Sequence, residues 1–381
     1  MEFTTHKDTL MTALSRAKGV VEKKTTMPIL TNIQLESKAS DRISIKATDL
    51  ELSLEGLYEV DVQDAGGFCM PAVKFFDVVR AMPAGNITVK LNAETNKAEV
   101  RGDKGAFFQL FTVPVEDYPT LPATEGVELY PIDAAMLKDA LGFALPAAGT
   151  DDPRVYLNSI YVENKGDGKL RFVSTDGHKL ALIDKDVASN LPMAKGVIIP
   201  RKAVQEILRL LDDGDLGEVS LGFSENHGFF VTEHISFSFR LIDSTYPNYE
   251  MVVPGEATKK IKVKRSELVE AIGRISVLAA ERNSKMRMDV EPGNMMVSYN
   301  SPEYGSSQQP VDMEMLLGEE AFALGFTTNT LLEIIKIFPQ ENIVLNINTP
   351  ETPVKVEGEE FDEGFGVVMP IKLEFLQDAY E

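Results

Sequence analysis

The strongest constraint on this fold is a set of segments that recurs three times, at intervals close to one third of the chain. A helix-like stretch centred on Ala13 returns around Ala140 and again around Ala271, with spacings of 127 and 131 residues. A second helix-like stretch follows each of them, with the sequences FFDVVRAM at 75–82, VQEILRLL at 204–211 and LLEIIKIF at 331–338. Repetition at a fixed period indicates one structural unit built three times.

Between the helical stretches the apolar period changes to two, which is typical of half-buried strands. The clearest runs are Ile29, Thr31, Ile33 and Leu35; Ile235, Phe237, Phe239 and Leu241; and Ile343, Leu345 and Ile347. Further landmarks recur at similar spacing: Asn32 with Asn158, Thr48-Asp49 with Thr175-Asp176, and Tyr118-Pro119 with Tyr246-Pro247. We therefore predict an α+β chain of three tandem domains, each with two helices packed on antiparallel strands, over 1–122, 127–253 and 259–373, with a tail at 374–381.

The charge is unevenly distributed. The formal net charge of −21 argues against ordinary nucleic-acid binding, which relies on clustered Lys and Arg. Helices predicted at 5–21, 72–82, 132–144, 200–212, 264–280 and 328–338 carry 13 basic and 9 acidic residues, leaving 25 basic and 50 acidic residues elsewhere. If all six helices faced one surface, that surface could meet phosphates. Mixed charge on helices also serves solubility, so composition alone leaves both interpretations open.

Cysteine use and hydropathy indicate the compartment. The single cysteine, Cys69, excludes an internal disulfide framework or a cysteine-rich zinc site and fits a reducing cytoplasm. The first residues lack the apolar core of a secretory signal, and no run approaches the roughly 18 apolar residues of a membrane span. We expect a soluble cytoplasmic protein without membrane contact.

The best catalytic candidate is Asp176-Gly177-His178, a potential base beside a carboxylate. The four histidines, at 6, 178, 227 and 234, have no plausible nucleophile beside them, and no phosphate-binding or dinucleotide-binding glycine motif is present. His227 and His234 lack the spacing of a zinc site. We expect Asp176-Gly177-His178 to be a structural turn and Cys69 to be buried, with no catalytic residue, metal or cofactor.

Three equal units in a row leave an open strand edge at each end, and open edges invite pairing with another chain. Head-to-tail contacts that close by rotation make a ring. A closed ring would hold DNA by topology, so weakly basic helices would suffice, and tight phosphate binding would impede sliding. The acidic net charge is then no objection to a DNA partner.

Five segments, spread from residue 27 to residue 373, carry a resemblance to a known family. They are Met27-Pro28-Ile29-Leu30-Thr31-Asn32, Pro71-Ala72-Val73-Lys74-Phe75-Phe76, Thr175-Asp176-Gly177-His178-Lys179-Leu180-Ala181, Ile199-Pro200-Arg201-Lys202 and Val367-Val368-Met369-Pro370-Ile371-Lys372-Leu373. Together they resemble the bacterial DNA polymerase sliding clamp, the beta subunit of the replicative polymerase. The resemblance implies a head-to-tail homodimer with helices lining a hole for double-stranded DNA. It implies a processivity factor without chemistry of its own, which tethers the replicative DNA polymerase and is opened by an ATP-dependent clamp loader.

The resemblance also implies a groove that binds short apolar peptide motifs of polymerases, loader and repair proteins. Its matching positions are Leu157, Thr175, Gly177, His178, Leu180, Pro247, Met251, Val252, Val367, Val368, Met369, Pro370 and Ile371. Leu, Val, Met and Pro can line an apolar slot, and Met adapts to different partners. For an isolated Leu or Val, ordinary core packing is the competing interpretation.

DNA contacts are implied at Lys24, Arg154, Tyr156, Arg201 and Lys202, and Lys74 and Arg80 join them as residues of a predicted lining helix. Closure of the ring is expected where the edge strand with Phe108 and Leu110 meets Val277 and Leu278.

Two positions depart from the family pattern, Met251 and Val155, and the tail 374–381 extends past the family's usual end. One hypothesis is that Phe375, Leu376 and Tyr380 fold back and compete with partner peptides. The alternative function, from another class, is a repeat-built protein-interaction scaffold that does not bind DNA.

Overall fold

The computed structural model describes residues 1–22, 25–166, 168–188, 193, 195–214, 218–279, 284–301 and 303–372. The chain packs as two compact units. Residues 1–134 and 205–241 form the first, and the described residues of 135–204 and from 242 onward form the second. The predicted tail at 374–381 lies outside the described residues.

Each of the six predicted helices is present. Their bounds are Lys7–Val20 (α1), Ala72–Ala81 (α2), Ala134–Ala144 (α3), Arg201–Asp212 (α4), Arg265–Ile275 (α5) and Thr328–Ile335 (α6). The repeated residues form buried faces, with Ala13 and Leu14 in α1 matched by Ala140 and Leu141 in α3.

The predicted end of the fifth helix, at residue 280, is wrong. Helix α5 stops at Ile275, and a 3-10 helix continues over Ser276–Leu278. The Ser276 hydroxyl donates to the Ile272 carbonyl at 2.6 Å, and this bond competes with regular helix continuation.

The first unit contains two antiparallel sheets. One has the strand order β5-β1-β7-β8-β9, and the other has the order β10-β15-β16-β17-β4-β3-β2-β6. The strand bounds are Glu2–His6 (β1), Asn32–Ala39 (β2), Arg42–Thr48 (β3), Leu52–Glu59 (β4), Asp61–Asp64 (β5), Gly67–Pro71 (β6), Asn86–Asn92 (β7), Lys97–Gly102 (β8), Phe107–Phe111 (β9), Tyr130–Ile132 (β10), Val219–Phe223 (β15), His227–Val231 (β16) and Ile235–Arg240 (β17).

The second unit is built in the same way, with the strand orders β14-β11-β12-β13-β26-β25-β24-β18-β22 and β21-β20-β19-β23. Its strands are Ser159–Gly166 (β11), Lys169–Thr175 (β12), Lys179–Asp186 (β13), Val197–Pro200 (β14), Lys259–Lys264 (β18), Lys285–Glu291 (β19), Asn294–Ser301 (β20), Gly305–Val311 (β21), Met313–Leu317 (β22), Phe322–Thr327 (β23), Asn342–Ile347 (β24), Val354–Gly358 (β25) and Gly364–Val368 (β26).

The alternating runs are strands in two of the three predicted places, at β17 and β24. In the first run the prediction is wrong for Ile29 and Thr31, because Pro28–Thr31 forms a 3-10 helix and the strand begins at Asn32. Pro28 favours the first turn, and the Asn32 side-chain amide donates to the Pro28 and Ile29 carbonyls at 3.3 Å each.

Strand pairing joins repeats within each unit. In the first unit β17 pairs with β4, so that Phe237 lies opposite Leu54. In the second unit β26 pairs with β13, so that Val367 lies opposite Leu180. Continuous sheets across these two junctions explain why the chain packs as two units although its sequence repeats three times. Among the helices that the structure describes, none has the length and apolar character needed to span a membrane.

Candidate functional site: a peptide groove and a DNA-facing surface

The segment Asp176-Gly177-His178 is a turn, as predicted. The Asp176 carboxylate accepts the main-chain N–H groups of His178 and Lys179 at 2.8 and 2.9 Å, and the Thr175 hydroxyl donates to the Lys179 carbonyl at 2.7 Å. Gly177 has a φ of +89°, which a side chain would strain. The carboxylate is therefore occupied with main-chain bonds that fix this loop.

The same turn occurs one repeat earlier. Asp49 accepts the N–H groups of Glu51 and Leu52 at 3.0 and 2.6 Å, and the Thr48 hydroxyl donates to the Leu52 carbonyl at 2.8 Å. The Thr-Asp landmarks of the sequence thus mark one repeated structural element, which leads into β4 in the first repeat and into β13 in the second.

The predicted groove residues fall into a buried base and an exposed rim. Leu180 and Val367 are core residues that pack with Val173, Leu182 and Tyr249. Leu157 and Val368 are also buried, which favours the packing interpretation for these isolated apolar residues. The exposed apolar members are Met251, Val252 and Met369, and Met251 is 81% exposed.

Main-chain bonds bring two of the predicted segments together. Lys179 lies opposite Val368 in the β13–β26 ladder, and the Met369 N–H donates to the His178 carbonyl at 2.8 Å. Tyr249, in the buried cluster, begins the 3-10 helix Tyr249–Val252, which presents Met251 and Val252 at the surface. Pro247 is exposed and follows Tyr246, whose ring stacks on Tyr161 with centroids 4.8 Å apart. Ile371 pairs through its main chain with Gly325, and Pro370 is half-buried before it.

Lys179 is a site residue that the sequence did not single out. Its side chain is 8% exposed, and its ammonium group lies 2.9 Å from Asp176 and 2.5 Å from Glu333 of α6. The pair ties the turn at 175–179 to a helix more than 150 residues away in sequence. Only the tertiary fold reveals this contact.

The predicted DNA residues of the second unit have different environments. The Arg154 guanidinium makes two hydrogen bonds of 2.9 Å to Asp152, and this bonding lowers the pKa of Asp152 to about 2. Tyr156 is half-buried, and Lys202 is exposed at the start of α4. Arg201 donates to the Leu145 and Ala148 carbonyls at 2.9 and 2.8 Å, and burial lowers its pKa. These bonds give Arg201 a structural role at the end of α3, while its contact with DNA stays a prediction.

In the first unit, Lys74 and Arg80 are both exposed on α2. Arg80 forms an ion pair of 2.9 Å with Asp77 and lies 5.5 Å from the Phe76 ring centroid. Lys24, the remaining predicted DNA residue, lies outside the described residues.

The predicted closure of the ring involves two open strand edges, one in each unit. Strand β9 ends its sheet and exposes Phe107, Phe108 and Phe111, with Leu110 half-buried. In the second unit Val277 is 80% exposed, Leu278 is half-buried, and β21 ends its own sheet. Sequence reasoning missed β21, because its sequence GSSQQPV has no apolar alternation.

A cavity of about 620 Å³ lies elsewhere in the first unit. The hairpin segments 38–42 and 231–236 line it together with Glu55 and Leu57. It contains none of the predicted site residues, and its positive and negative side chains are mixed.

Comparison with known proteins decides the family. The N-terminal, central and C-terminal domains of the DNA polymerase III beta subunit match residues 1–122, 132–248 and 250–372. The chain belongs to the DNA polymerase III beta subunit family. The resemblance inferred from the sequence motifs is thereby confirmed, as is the fold of three clamp domains.

The relatives are similar over nearly their whole length. The beta sliding clamps of Pseudomonas aeruginosa and Escherichia coli are each 30% identical to this chain, over 98% of it and 100% of the relative. The crystal structure of the Pseudomonas aeruginosa beta subunit superposes with a TM-score of 0.88 at 30% identity, covering 98% of this chain and 100% of that one. A Bartonella birtlesii sliding clamp bound to griselimycin superposes with a TM-score of 0.91 at 30% identity, covering 98% and 99%. The function of the chain is that of a DNA sliding clamp in replication.

Proposed function

We propose that two copies of this chain close head to tail into a ring around double-stranded DNA and tether the replicative polymerase there without chemistry of their own. The domains of the ring are the predicted segments 1–122, 127–253 and 259–373. One observation carries the proposal. The two junctions between repeats inside the chain are both strand pairs, and the strands that would form a third such pair are both open edges.

The repeated turns indicate that strands β4, β13 and β21 are equivalent in the three repeats. Strands β4 and β13 each follow a Thr-Asp turn, and β21 follows Ser301, whose hydroxyl accepts the Tyr304 N–H at 3.2 Å. Their counterparts β17 and β26 are the last strands of the second and third repeats, as β9 is of the first. Since β4 pairs with β17 and β13 with β26, β21 should pair with β9 of a second copy.

Apolar side chains support the same contact. Phe108 and Leu110 on β9 and Val277 and Leu278 beside β21 would be buried together if the two edges met. Burial of exposed apolar surface favours association by about 25 cal/mol per Å² before the costs of association are subtracted.

The peptide groove is the proposed tether. Its exposed Met251, Val252 and Met369 lie around a rigid buried base, which suits short apolar motifs of polymerases and repair proteins. An ATP-dependent clamp loader is the proposed opener of the ring. Cytoplasmic location follows from the same role in replication.

Retention on circular DNA tests the ring. After loading on a primed circle, the protein should stay bound through a high-salt wash and be released when the circle is cut, because topology rather than phosphate contact holds it. Equal retention on circular and linear DNA would contradict encirclement. No retention on either, with peptide binding intact, would favour the protein-interaction scaffold.

A further inference from the structure

Helix packing inside the first unit contains an ionic contact between repeats. Arg209, near the end of α4, donates to the main-chain carbonyls of Ser15 and Arg16 in α1 at 3.1 and 2.8 Å. Glu206, three residues earlier, holds the Arg209 guanidinium through Nε bonds of 3.0 Å to both carboxylate oxygens. A cation suits this place, because the carbonyl end of a helix carries partial negative charge.

Because the sequence repeats, these residues have counterparts on α2 in the first repeat and on α5 in the third repeat. Counterparts of Glu206 and Arg209 are Asp77 and Arg80 on α2, 129 residues earlier in both cases. They form the same pair, with 2.9 Å between Arg80 and Asp77. Counterparts of Ser15 and Arg16 are Gly273 and Arg274 at the end of α5, 258 residues later.

The residues between α1 and α4 differ from their counterparts on α2 and α5 in the exposed fraction of their side chains. The side chains of Glu206 and Arg16 are 8% and 11% exposed within their contact. Their counterparts Asp77 and Arg274 are 39% and 61% exposed. In the second unit the position equivalent to Arg16 is Phe143, and it is covered too, by Phe338 and Phe361 with ring centroids 5.4 and 5.9 Å away. At the other internal junction the counterparts of Glu206 and Arg209 are Glu333 and Lys336 of α6, which are exposed, and Glu333 pairs with Lys179. The chain-end positions therefore lack the covering seen at the junction of α1 with α4.

We infer that Arg80 is a ring-closure residue, whose guanidinium donates to the main-chain carbonyls of Gly273 and Arg274 of the partner subunit while Asp77 holds it in place. The inference rests on the proposed head-to-tail ring and adds an ionic contact between helices to the paired strand edges. It moves Arg80 from the DNA-facing surface, where the sequence placed it, to the subunit interface.

The test compares Arg80→Met with Lys74→Met in the full chain. Both residues are exposed on α2, but the position equivalent to Lys74 in α4 is Ala203, whose side chain has no hydrogen-bond donor. The dimer dissociation constant is measured by sedimentation on serial dilution, and thermal unfolding followed by circular dichroism checks the fold. Arg80→Met should raise the dissociation constant at least about tenfold, since hydrogen bonds from a charged donor are lost. Lys74→Met should change it less than twofold.

A second measurement does not depend on stability. Arg80→Cys combined with Gly273→Cys should be linked between subunits by a short bis-maleimide, giving a product of two 42.0 kDa chains. A side chain at Gly273 meets open space within its own chain, and the native Cys69 is buried. Lys74→Cys with Gly273→Cys should not crosslink.

An Arg80→Met dimer as tight as wild type, or no crosslink through position 80, would overturn the assignment. If that variant kept the wild-type dissociation constant but lost DNA retention, Arg80 would belong to the DNA surface. A wild-type chain that stays monomeric at micromolar concentration would instead defeat the ring proposal itself.

Discussion

Lys179 is a buried charged residue beside the proposed peptide groove. Its buried ammonium group lies between Asp176, in the turn that borders the groove, and Glu333 on α6. Both carboxylates are partly exposed, so water would hydrate them if the lysine were lost, and the penalty would be smaller than for a fully buried pair.

Lys179→Met should therefore lower the free energy of unfolding by roughly 1–3 kcal/mol and weaken binding of an apolar clamp-binding peptide several-fold. Urea denaturation and fluorescence polarisation measure the two effects. Lys38→Met is the control, because Lys38 pairs with Glu36 at the surface and should cost less than about 0.5 kcal/mol. Unchanged peptide binding by Lys179→Met would show that the ion pair does not position the groove.

Cys69 is a residue whose chemistry is suppressed by the fold. Burial raises the pKa of its thiol to about 12, with Asp117 and Glu116 adding to the effect. The thiolate is the reactive form, and an exposed thiol has a pKa of about 8.5. Because the folded-state pKa is raised, Cys69 should contribute stability below about pH 8.5 and lose that contribution as the pH rises toward 12.

The native protein should accordingly fail to react with a thiol reagent such as Ellman's reagent at pH 8 within minutes, whereas protein unfolded in guanidinium should release one equivalent at once. The absorbance of the released thiolate gives the rate. Rapid reaction of the native chain would mean that the Cys69 site opens readily.

For single residues, the sequence predicted which positions matter better than it predicted the contacts that their side chains make. The Asp176 turn and the burial of Cys69 are confirmed. Leu180 and Val367, predicted as groove residues by family motif, are core residues, because they lie on adjacent strands that pack in the core. The role of Lys179 was not predicted, because its partner Glu333 is distant in sequence and a contact of this kind leaves no local sequence pattern.

The helix pair α1 and α4 allows a prediction at the scale of elements. Gly19 of α1 faces α4: a Cβ there would be within 2.6 Å of the Glu206 carboxylate and the Arg209 guanidinium. A Cβ at Gly142, in α3, would meet open space. Alanine normally stabilises a helix interior by up to about 1 kcal/mol relative to glycine.

Gly19→Ala should destabilise the chain by about 1–3 kcal/mol, because the two charged side chains must leave their bonds, while Gly142→Ala should be neutral or stabilising. Thermal and urea unfolding of the two variants provide a matched comparison. A stabilised Gly19→Ala would mean that Glu206 and Arg209 rearrange without loss, and the ionic contact between the helices would then carry little energy.

Apolar periodicity predicted most of the helices and strands, but it did not predict where some of them begin and end. All six helices were predicted, since buried faces such as Leu268, Ala271 and Ile272 recur at helical spacing. The end of α5 was missed because the apolar spacing continues through Ala279, while the backbone changes to a 3-10 helix at Ser276. Strand β21 was missed because hydrogen bonding to β20, rather than apolar alternation, holds it in the sheet.

For the whole molecule, an acidic net charge is compatible with a DNA partner if the protein stays on DNA by encircling it. A clamp that relied on phosphate neutralisation would need many cations in contact, and its affinity would fall steeply with salt. Here Arg154 is neutralised by Asp152, and Arg201 is engaged with main-chain carbonyls. These internal bonds fit the proposed ring, which would hold DNA by encirclement rather than by tight phosphate contact.

Retention on DNA should then depend on closure of the ring. Phe108→Glu combined with Leu278→Glu places like charges where β9 would meet the second copy, and their burial in an apolar interface costs far more than exposure in a monomer. The double variant should sediment as a monomer at micromolar concentration and fail to support processive synthesis. Leu50→Glu is the control, because Leu50 is similarly exposed, at 49%, on a turn outside both edges, and it should remain dimeric. A dimer that persists in the double variant would move the interface away from β9, whereas a monomer that still supported processive synthesis would contradict tethering by encirclement.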